Sequence, residues 1–155
     1  MFDSYLSKLT QRITRDDYRE ESFYPALGDL MAAVAEKLNI SNVDITPLPR
    51  KTEAGNPDFR IWDGEHCIMG YIEAKKPGTD LHKVQNSEQL KRYRDTFPNL
   101  ILTDFFKFWL FKDGKLTEKV QIGRPFLAQK LGETPPAEHQ DAFIDLMEQF
   151  FAHSV

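Results

Sequence analysis

The chain lacks the features that define several large classes of protein. It has a single cysteine in 155 residues, which excludes an internal disulfide framework. No apolar run approaches the roughly 18 residues that a membrane-spanning helix requires, and the opening Met1-Phe2-Asp3-Ser4 does not resemble a signal peptide. These absences predict a protein of the reducing cytoplasm, with no membrane segment.

Several catalytic and metal-binding signatures are also missing. The four histidines are scattered and show none of the Cys/His spacing of a zinc site. The sequence contains neither the glycine-rich loop that binds nucleoside triphosphates nor the serine elbow of the hydrolases. The lone Cys67 falls in a predicted strand, where we expect it to pack rather than to act as a ligand or nucleophile.

An excess of positive charge is absent as well. The net charge is −4, which argues against a protein that simply coats DNA. The charge is unevenly distributed, because residues 133–155 contain five acids and no lysine or arginine, so that the rest of the chain has a net charge of +1. A bound divalent cation would add positive charge that this count omits.

The chain has the composition and the element order of one α/β domain, residues 1–155, with 41% hydrophobic and 28% charged residues. Helices flanking a central mixed sheet are predicted, and the strand–helix–strand order over residues 67–103 implies a parallel crossover. The predicted elements begin with a first helix from Asp3 or Ser4, a second from near Ser22, an irregular connection Ile40–Pro49 and a hairpin. They continue with a helix that ends at Thr96 and starts at about Ser87 or near Leu81, strands Asn99–Thr103, Phe106–Phe111 and Leu116–Ile122, and an amphipathic helix at about 137–152.

The most informative segment lies in the middle of the chain. Asp58 follows a proline, and fourteen residues separate it from Glu73-Ala74-Lys75. The loop Asp63-Gly64-Glu65-His66 predicts a hairpin whose arms are Asn56–Trp62 and Cys67–Lys75. Two carboxylates and an ammonium group are thereby predicted to lie on neighbouring strands.

The register of this hairpin decides which side chains meet. A four-residue loop pairs Trp62 with Cys67 and sets Asp58 opposite Tyr71. Since side chains alternate between faces, the face of Asp58 also carries Tyr71, Glu73 and Lys75. Asp58 and Glu73 become diagonal neighbours roughly 7–8 Å apart, within reach of a shared cation. The other face is apolar and suits a core, with Phe59, Ile61, Ile68 and Ile72.

Taken alone, Asp58 suits a turn, and the pair Glu73 and Lys75 suits a solvent-facing edge strand. The next strand, however, is continuous, apolar and predicted to pair in parallel, which places strand 67–75 inside the sheet. Unpaired charges there are costly. We therefore interpret the three charged residues as a site for a divalent metal.

The pattern resembles the PD-(D/E)xK nuclease superfamily. Five motifs occur in order, and they are the acidic helix start Glu20–Leu27, the pair Pro57-Asp58, the strand Gly70–Leu81, the helix motif Gln89–Tyr93 and the strand Phe97–Thr103. Over about residues 18–115 they look most like the N-terminal nuclease domain of single-chain restriction-modification enzymes that are fused to an adenine methyltransferase. The resemblance implies a restriction-endonuclease-like fold.

The resemblance also implies roles for individual residues. Asp58, Glu73 and the carbonyl of Ala74 would bind Mg²⁺, or Mn²⁺ in its place, and Lys75 would orient or help deprotonate the attacking water. Glu20 corresponds to the acid of the helix motif, with Glu21 as the alternative. An acid near a helix start is equally well explained by the helix dipole.

A helix motif supplies the expected contacts with DNA. Gln89 and Tyr93 share one helix face, and by resemblance they support Lys75 and contact the DNA backbone. The dense basic stretch of Lys83, Lys91, Arg92 and Arg94 suits phosphate contacts, although a basic run on a helix is usually a solvated face.

The sequence therefore predicts a Mg²⁺-dependent endonuclease acting on double-stranded DNA in a restriction-modification system. A fused or separate methyltransferase or specificity subunit is the expected partner, because methyltransferase motifs are absent from these residues. Two alternatives are a repair or recombination nuclease of the same superfamily and a catalytically silent module for DNA binding or assembly.

Overall fold

The computed structural model describes residues 1–65 and 67–152, and its centre is a six-stranded sheet. The strands are β1 (Asp44–Pro47), β2 (Phe59–Trp62), β3 (Ile68–Ala74), β4 (Asn99–Thr103), β5 (Lys107–Lys112) and β6 (Lys115–Gln121), and they are adjacent in chain order. β3 and β4 pair in parallel, while all other neighbours are antiparallel. This mixed sheet confirms the predicted α/β class and the predicted parallel crossover.

Six α-helices accompany the sheet in the described part of the chain. They are α1 (Phe2–Thr14), α2 (Tyr24–Lys37), α3 (Leu81–Val84), α4 (Glu88–Thr96), α5 (Pro125–Leu131) and α6 (Gln140–Phe151). A 3-10 turn, Glu20–Phe23, precedes α2, and Pro25 lies in the first turn of α2, where its missing N–H is tolerated. None of these helices is both long and apolar enough to cross a membrane.

Strand alternation divides the core into two clusters. One face of the sheet, with Phe59, Ile61 and Ile72, packs against apolar side chains of α1, α2 and α6. The opposite face, with Leu100, Leu102 and Trp109, packs against Leu90 and Tyr93 of α4. The connection from β3 to β4 contains α3 and α4, and the polar residue Gln89 of α4 contacts Lys75 just after the end of β3.

The β2–β3 hairpin forms, but its predicted register is wrong by up to two residues. Trp62 pairs with Ile68, and a bulge at Ile61/Trp62 then pairs Arg60 with Tyr71. The turn is longer than predicted because the Asp63 carboxylate accepts the backbone N–H groups of Glu65 and Cys67, at 2.8 and 3.1 Å. His66, which the predicted loop included, lies outside the described residues.

The register change alters two further predictions. Ile68, expected in the core, is 39% exposed at the start of β3, and Cys67, expected to pack in the strand, is an exposed free thiol in the turn. Continuing the observed register by one step sets Asp58 opposite Glu73 rather than opposite Tyr71. A shift of two residues keeps the same faces, so the shared face of Asp58, Tyr71 and Glu73 is retained.

The prediction and the structure also differ at β1 and at the start of α6. The connection predicted as irregular at Ile40–Pro49 contains the edge strand β1, which pairs with β2. Helix α6 begins at Gln140, about three residues later than predicted. The predicted hairpin at Asp113-Gly114 is confirmed, and both residues adopt the positive φ that such a two-residue turn requires.

Candidate active site

Asp58 stands immediately before β2, and both of its carboxylate oxygens accept hydrogen bonds. The hydroxyl of Tyr24 donates to Oδ1 at 2.5 Å, and the backbone N–H of Ala74 donates to Oδ2 at 2.7 Å. The backbone carbonyl of Asp58 accepts from Leu48 N–H at 2.8 Å. Asp58 is therefore fixed between the start of α2, the end of β3 and the end of β1, and each carboxylate oxygen keeps lone-pair capacity for another ligand.

Glu73 is a buried acid, with 4% of its surface exposed. Its Oε2 lies 3.2 Å from Lys75 Nζ, while Oε1 is buried and receives no hydrogen bond from an N–H or hydroxyl donor. Burial, then the negative charge of nearby Asp58 and a hydrogen bond shared with that carboxylate, raise the pKa of Glu73 to about 8, with Lys75 opposing the shift. A buried carboxylate oxygen without a partner is uncommon, because desolvation without a hydrogen bond is costly.

A divalent cation fits this pair of acids. Asp58 and Glu73 share one face of the sheet at the ends of two internal strands, and one Glu73 oxygen receives no donor. Within residues 1–65 and 67–152 no three acidic, histidine or cysteine side chains form a ready cage for a metal. Two carboxylates supplemented by waters are nevertheless an ordinary donor set for Mg²⁺.

Lys75, Gln89 and Tyr93 form a chain of polar contacts beside the acids. Lys75 Nζ lies 3.4 Å from Gln89 Oε1, and Gln89 Nε2 lies 3.4 Å from the Tyr93 hydroxyl. Burial, and then the charges of Glu73 and Asp58, raise the pKa of Tyr93 to about 12. The structure thus brings the two predicted residues of α4 together with Lys75.

Tyr93 also packs against the loop that leads to Asp58. A Cβ atom on Gly55 would come within 3.2 Å of the Tyr93 hydroxyl, and Gly55 has a φ of 133°, which side chains disfavour. Arg92 Nε donates to the Ala54 carbonyl in the same loop at 3.3 Å. Two neighbouring residues of α4 therefore hold the loop that precedes Asp58.

Glu20 and Glu21 are distinguished by their surroundings. Glu20 is half-buried in the 3-10 turn, while Glu21 is exposed. Burial raises the pKa of Glu20, and Lys75, Asp58 and Lys76 all act on its charge, Lys75 most strongly. Of the two acids, Glu20 is the one whose carboxyl group is close enough to Asp58 and Lys75 for their charges to act on it.

The remaining predicted residues lie at different distances from this group. The Ala74 side chain is buried and its N–H binds Asp58, which puts its peptide unit beside the acids. Lys83 and Lys91 are exposed on α3 and α4. Arg94 instead packs its guanidinium over the Phe111 ring, with Cζ 5.6 Å from the ring centre and a buried Nε.

Tyr24 is the site residue that sequence reasoning missed. Its ring packs edge-to-face on Phe59, with centroids 4.7 Å apart, and burial and the bond to Asp58 raise the pKa of its hydroxyl. In the sequence it belongs to the apolar stripe of α2. The available signal was its position one helical turn after the acid Glu20.

A second buried acid, Asp104, lies in the turn after β4. It is fully buried, and its Oδ1 accepts from the N–H groups of Phe106 and Lys107 at 3.1 and 2.7 Å. Its Oδ2 accepts from Gly78 N–H at 3.0 Å and lies 3.5 Å from Lys107 Nζ. Asp104 ties the segment after Lys75 to the β4–β5 turn.

Comparison with known proteins identifies the fold. The chain is similar to part of the cryo-EM structure of the DrdV–DNA complex, with a TM-score of 0.65 and 21% sequence identity. The match covers 99% of this chain and 14% of that chain, so these residues span about one seventh of its length. The predicted fold class is confirmed. No protein-family model matches the sequence, and no curated protein matches it significantly.

Proposed function

We propose that this chain is a Mg²⁺-dependent DNA endonuclease and the cleavage domain of a restriction-modification system. The observation that carries this proposal is the buried Glu73, which lacks a donor on one oxygen, interacts with the like-charged Asp58 and has its other oxygen 3.2 Å from Lys75 Nζ. Such a buried carboxylate costs stability. Cation binding is the function that compensates that cost.

In this proposal Asp58, Glu73 and the Ala74 carbonyl bind the cation. When bound, it lowers the pKa of a coordinated water and neutralises charge on the phosphate. The water oxygen bonds to phosphorus, one ester P–O bond breaks, and a proton passes to the departing oxygen. Lys75 orients the water and stabilises charge on the phosphate, and its contact with Gln89 holds the ammonium in place.

DNA is the proposed substrate because the structurally similar protein is a DNA complex. The exposed Lys83 and Lys91 are placed to contact phosphates, with Arg92 and Tyr93 nearer the loop before Asp58. Arg94 is less suited, since its guanidinium covers Phe111. Glu20 completes the acidic side of the site.

The chain is expected to need a partner for its specificity. The match covers 14% of the longer DNA-bound chain. The net charge of residues 1–132 is only +1, so their overall electrostatic attraction for DNA phosphates is weak. A fused or separate methyltransferase or specificity subunit would deliver it to double-stranded DNA. The isolated chain should cut weakly and without a recurring target sequence.

Plasmid cleavage tests the proposal directly. Nicking or linearisation should require Mg²⁺ or Mn²⁺ and stop with EDTA, and Asp58→Ala and Lys75→Ala should abolish it while circular dichroism remains unchanged. Lys37→Ala is the control for Lys75, because it removes an exposed ammonium from the last turn of α2, which the proposal does not place on the DNA. Plasmid cleavage at the wild-type rate by Asp58→Ala or by Lys75→Ala would refute the assignment.

The same assay separates the alternatives. A silent DNA-binding module would retain plasmid DNA in a shift assay but leave it uncut at every metal concentration. A repair nuclease would prefer ends, flaps or nicked substrates to covalently closed plasmid. A restriction nuclease should cut closed plasmid, and more strongly when it is joined to a recognition subunit.

A further inference from the structure

The start of α2 contacts the candidate metal site through one side chain. Tyr24 is 7% exposed, and its ring packs edge-to-face on Phe59, the residue that follows Asp58. Pro25 in the first turn of α2 limits the backbone next to it. The position of the Tyr24 hydroxyl is therefore set by both the helix and the strand.

This hydroxyl is one of two donors that fix the Asp58 carboxylate. Tyr24 holds Oδ1 at 2.5 Å, and the backbone N–H of Ala74 holds Oδ2 at 2.7 Å. The two donors come from different elements on different sides of Asp58, so together they determine the plane of the carboxylate. With one of them removed, the group is free to rotate about its last torsion.

We propose that Tyr24 is a positioning residue, which holds the Asp58 carboxylate in the orientation that binds the divalent cation. This inference rests on the proposed function, because it takes Asp58 to be a ligand. Side chains that hydrogen-bond a metal ligand typically change metal affinity or activity about 10- to 100-fold when they are mutated. The effect of Tyr24 should therefore appear in cation affinity before any nucleic acid is added.

The test substitutes Tyr24→Phe, which deletes one hydroxyl and keeps the ring on Phe59. Tyr5→Phe is the control, since the Tyr5 hydroxyl donates a buried hydrogen bond to the Phe105 carbonyl at 2.6 Å, away from Asp58 and Glu73. Calorimetry with Mn²⁺ alone measures affinity on the full chain, and thermal melting without metal measures stability.

Both variants should lose some stability, because each loses one hydrogen bond from a tyrosine hydroxyl. Only Tyr24→Phe should bind Mn²⁺ more weakly, by about 10-fold or more, with cleavage falling in the same variant. Equal Mn²⁺ affinity in Tyr24→Phe and wild type would overturn the positioning role and leave the nuclease assignment standing. A wild-type chain that takes up no Mn²⁺ would overturn the metal centre and the role of Tyr24 with it.

Discussion

The two buried acids at the ends of β3 and β4 have opposite surroundings. Asp104 receives three backbone N–H groups and a lysine ammonium, so every oxygen has a donor. Glu73 receives no backbone N–H group; Lys75 lies beside one of its oxygens, and its other side-chain partner is the like-charged Asp58. An acid that the fold requires is surrounded by donors, because burial without them destabilises the native state. An acid that lacks them is available to a ligand.

The largest expected effect follows from exchanging each acid for its amide. Glu73→Gln should lower cleavage at least about 100-fold, since it removes a charged metal ligand rather than a residue that only supports one. Asp104→Asn, the matched control, keeps an acceptor and should change the cleavage rate much less at temperatures where it remains folded. A large loss in both variants would mean that the contrast between the two acids does not reflect function.

For the stability of the fold the order should be reversed, with substitution of Asp104 more harmful than substitution of Glu73. Asp104→Ala leaves buried N–H groups and Lys107 without their acceptor, so it should lower the free energy of unfolding by about 3–5 kcal/mol. Urea denaturation followed by circular dichroism measures the change through the midpoint at constant slope. A loss below that of an average surface substitution would show that the donors around Asp104 do not stabilise the fold.

A pH series should separate the two acids further. The folded, metal-free chain holds the Glu73 proton to about pH 8, whereas the ordinary value is 4.5, so its stability falls as the pH rises between these values. Glu73→Gln removes this loss. Its melting temperature should exceed that of the wild type by a margin on the order of a few degrees near pH 8, and the margin should shrink towards pH 5. A constant margin across this range would contradict the prediction.

The smallest expected effect extends the contrast to two basic residues of α4. Both residues are exposed, but Arg92 also donates a hydrogen bond to the Ala54 carbonyl. Arg92→Ala should reduce cleavage several-fold by loosening the loop before Asp58, and this loss should persist at low salt. Lys91→Ala should weaken DNA binding in a way that depends on salt. If DNA binding by the two variants depended on salt in the same way, both residues would have to be assigned to contacts with DNA phosphates.

Much of the sheet was predictable because its signals are periodic. The continuous apolar run Asn99–Thr103 indicated a strand buried on both faces, and all five of its residues are buried. The faces of Asp58 and Glu73 were also predicted correctly, since a register error of two residues preserves alternation. The error has two sources that the sequence pattern does not reveal: the turn, in which the Asp63 side chain accepts two backbone N–H groups, is one residue longer, and a bulge at Ile61/Trp62 adds the second residue.

Other features depend on contacts that a single sequence does not encode locally. β1 has four residues and ends in Pro47, so nothing in its pattern distinguishes it from a loop until β2 pairs with it. Tyr24 reads as one more apolar residue of α2, and its bond to Asp58 spans 34 positions. Arg94 of α4 belongs to a basic run, but its guanidinium lies over the ring of Phe111 in β5.

The exposed thiol of Cys67 has a practical consequence. The chain has one cysteine, which lies in the β2–β3 turn, while Glu73 lies six residues further along the strand. At about 3.3 Å per residue, the two are on the order of 20 Å apart. A fluorophore or spin label coupled there would report the approach of DNA to the far end of the hairpin. The natural sequence thus offers a single labelling position that needs no engineered cysteine and leaves the acids untouched.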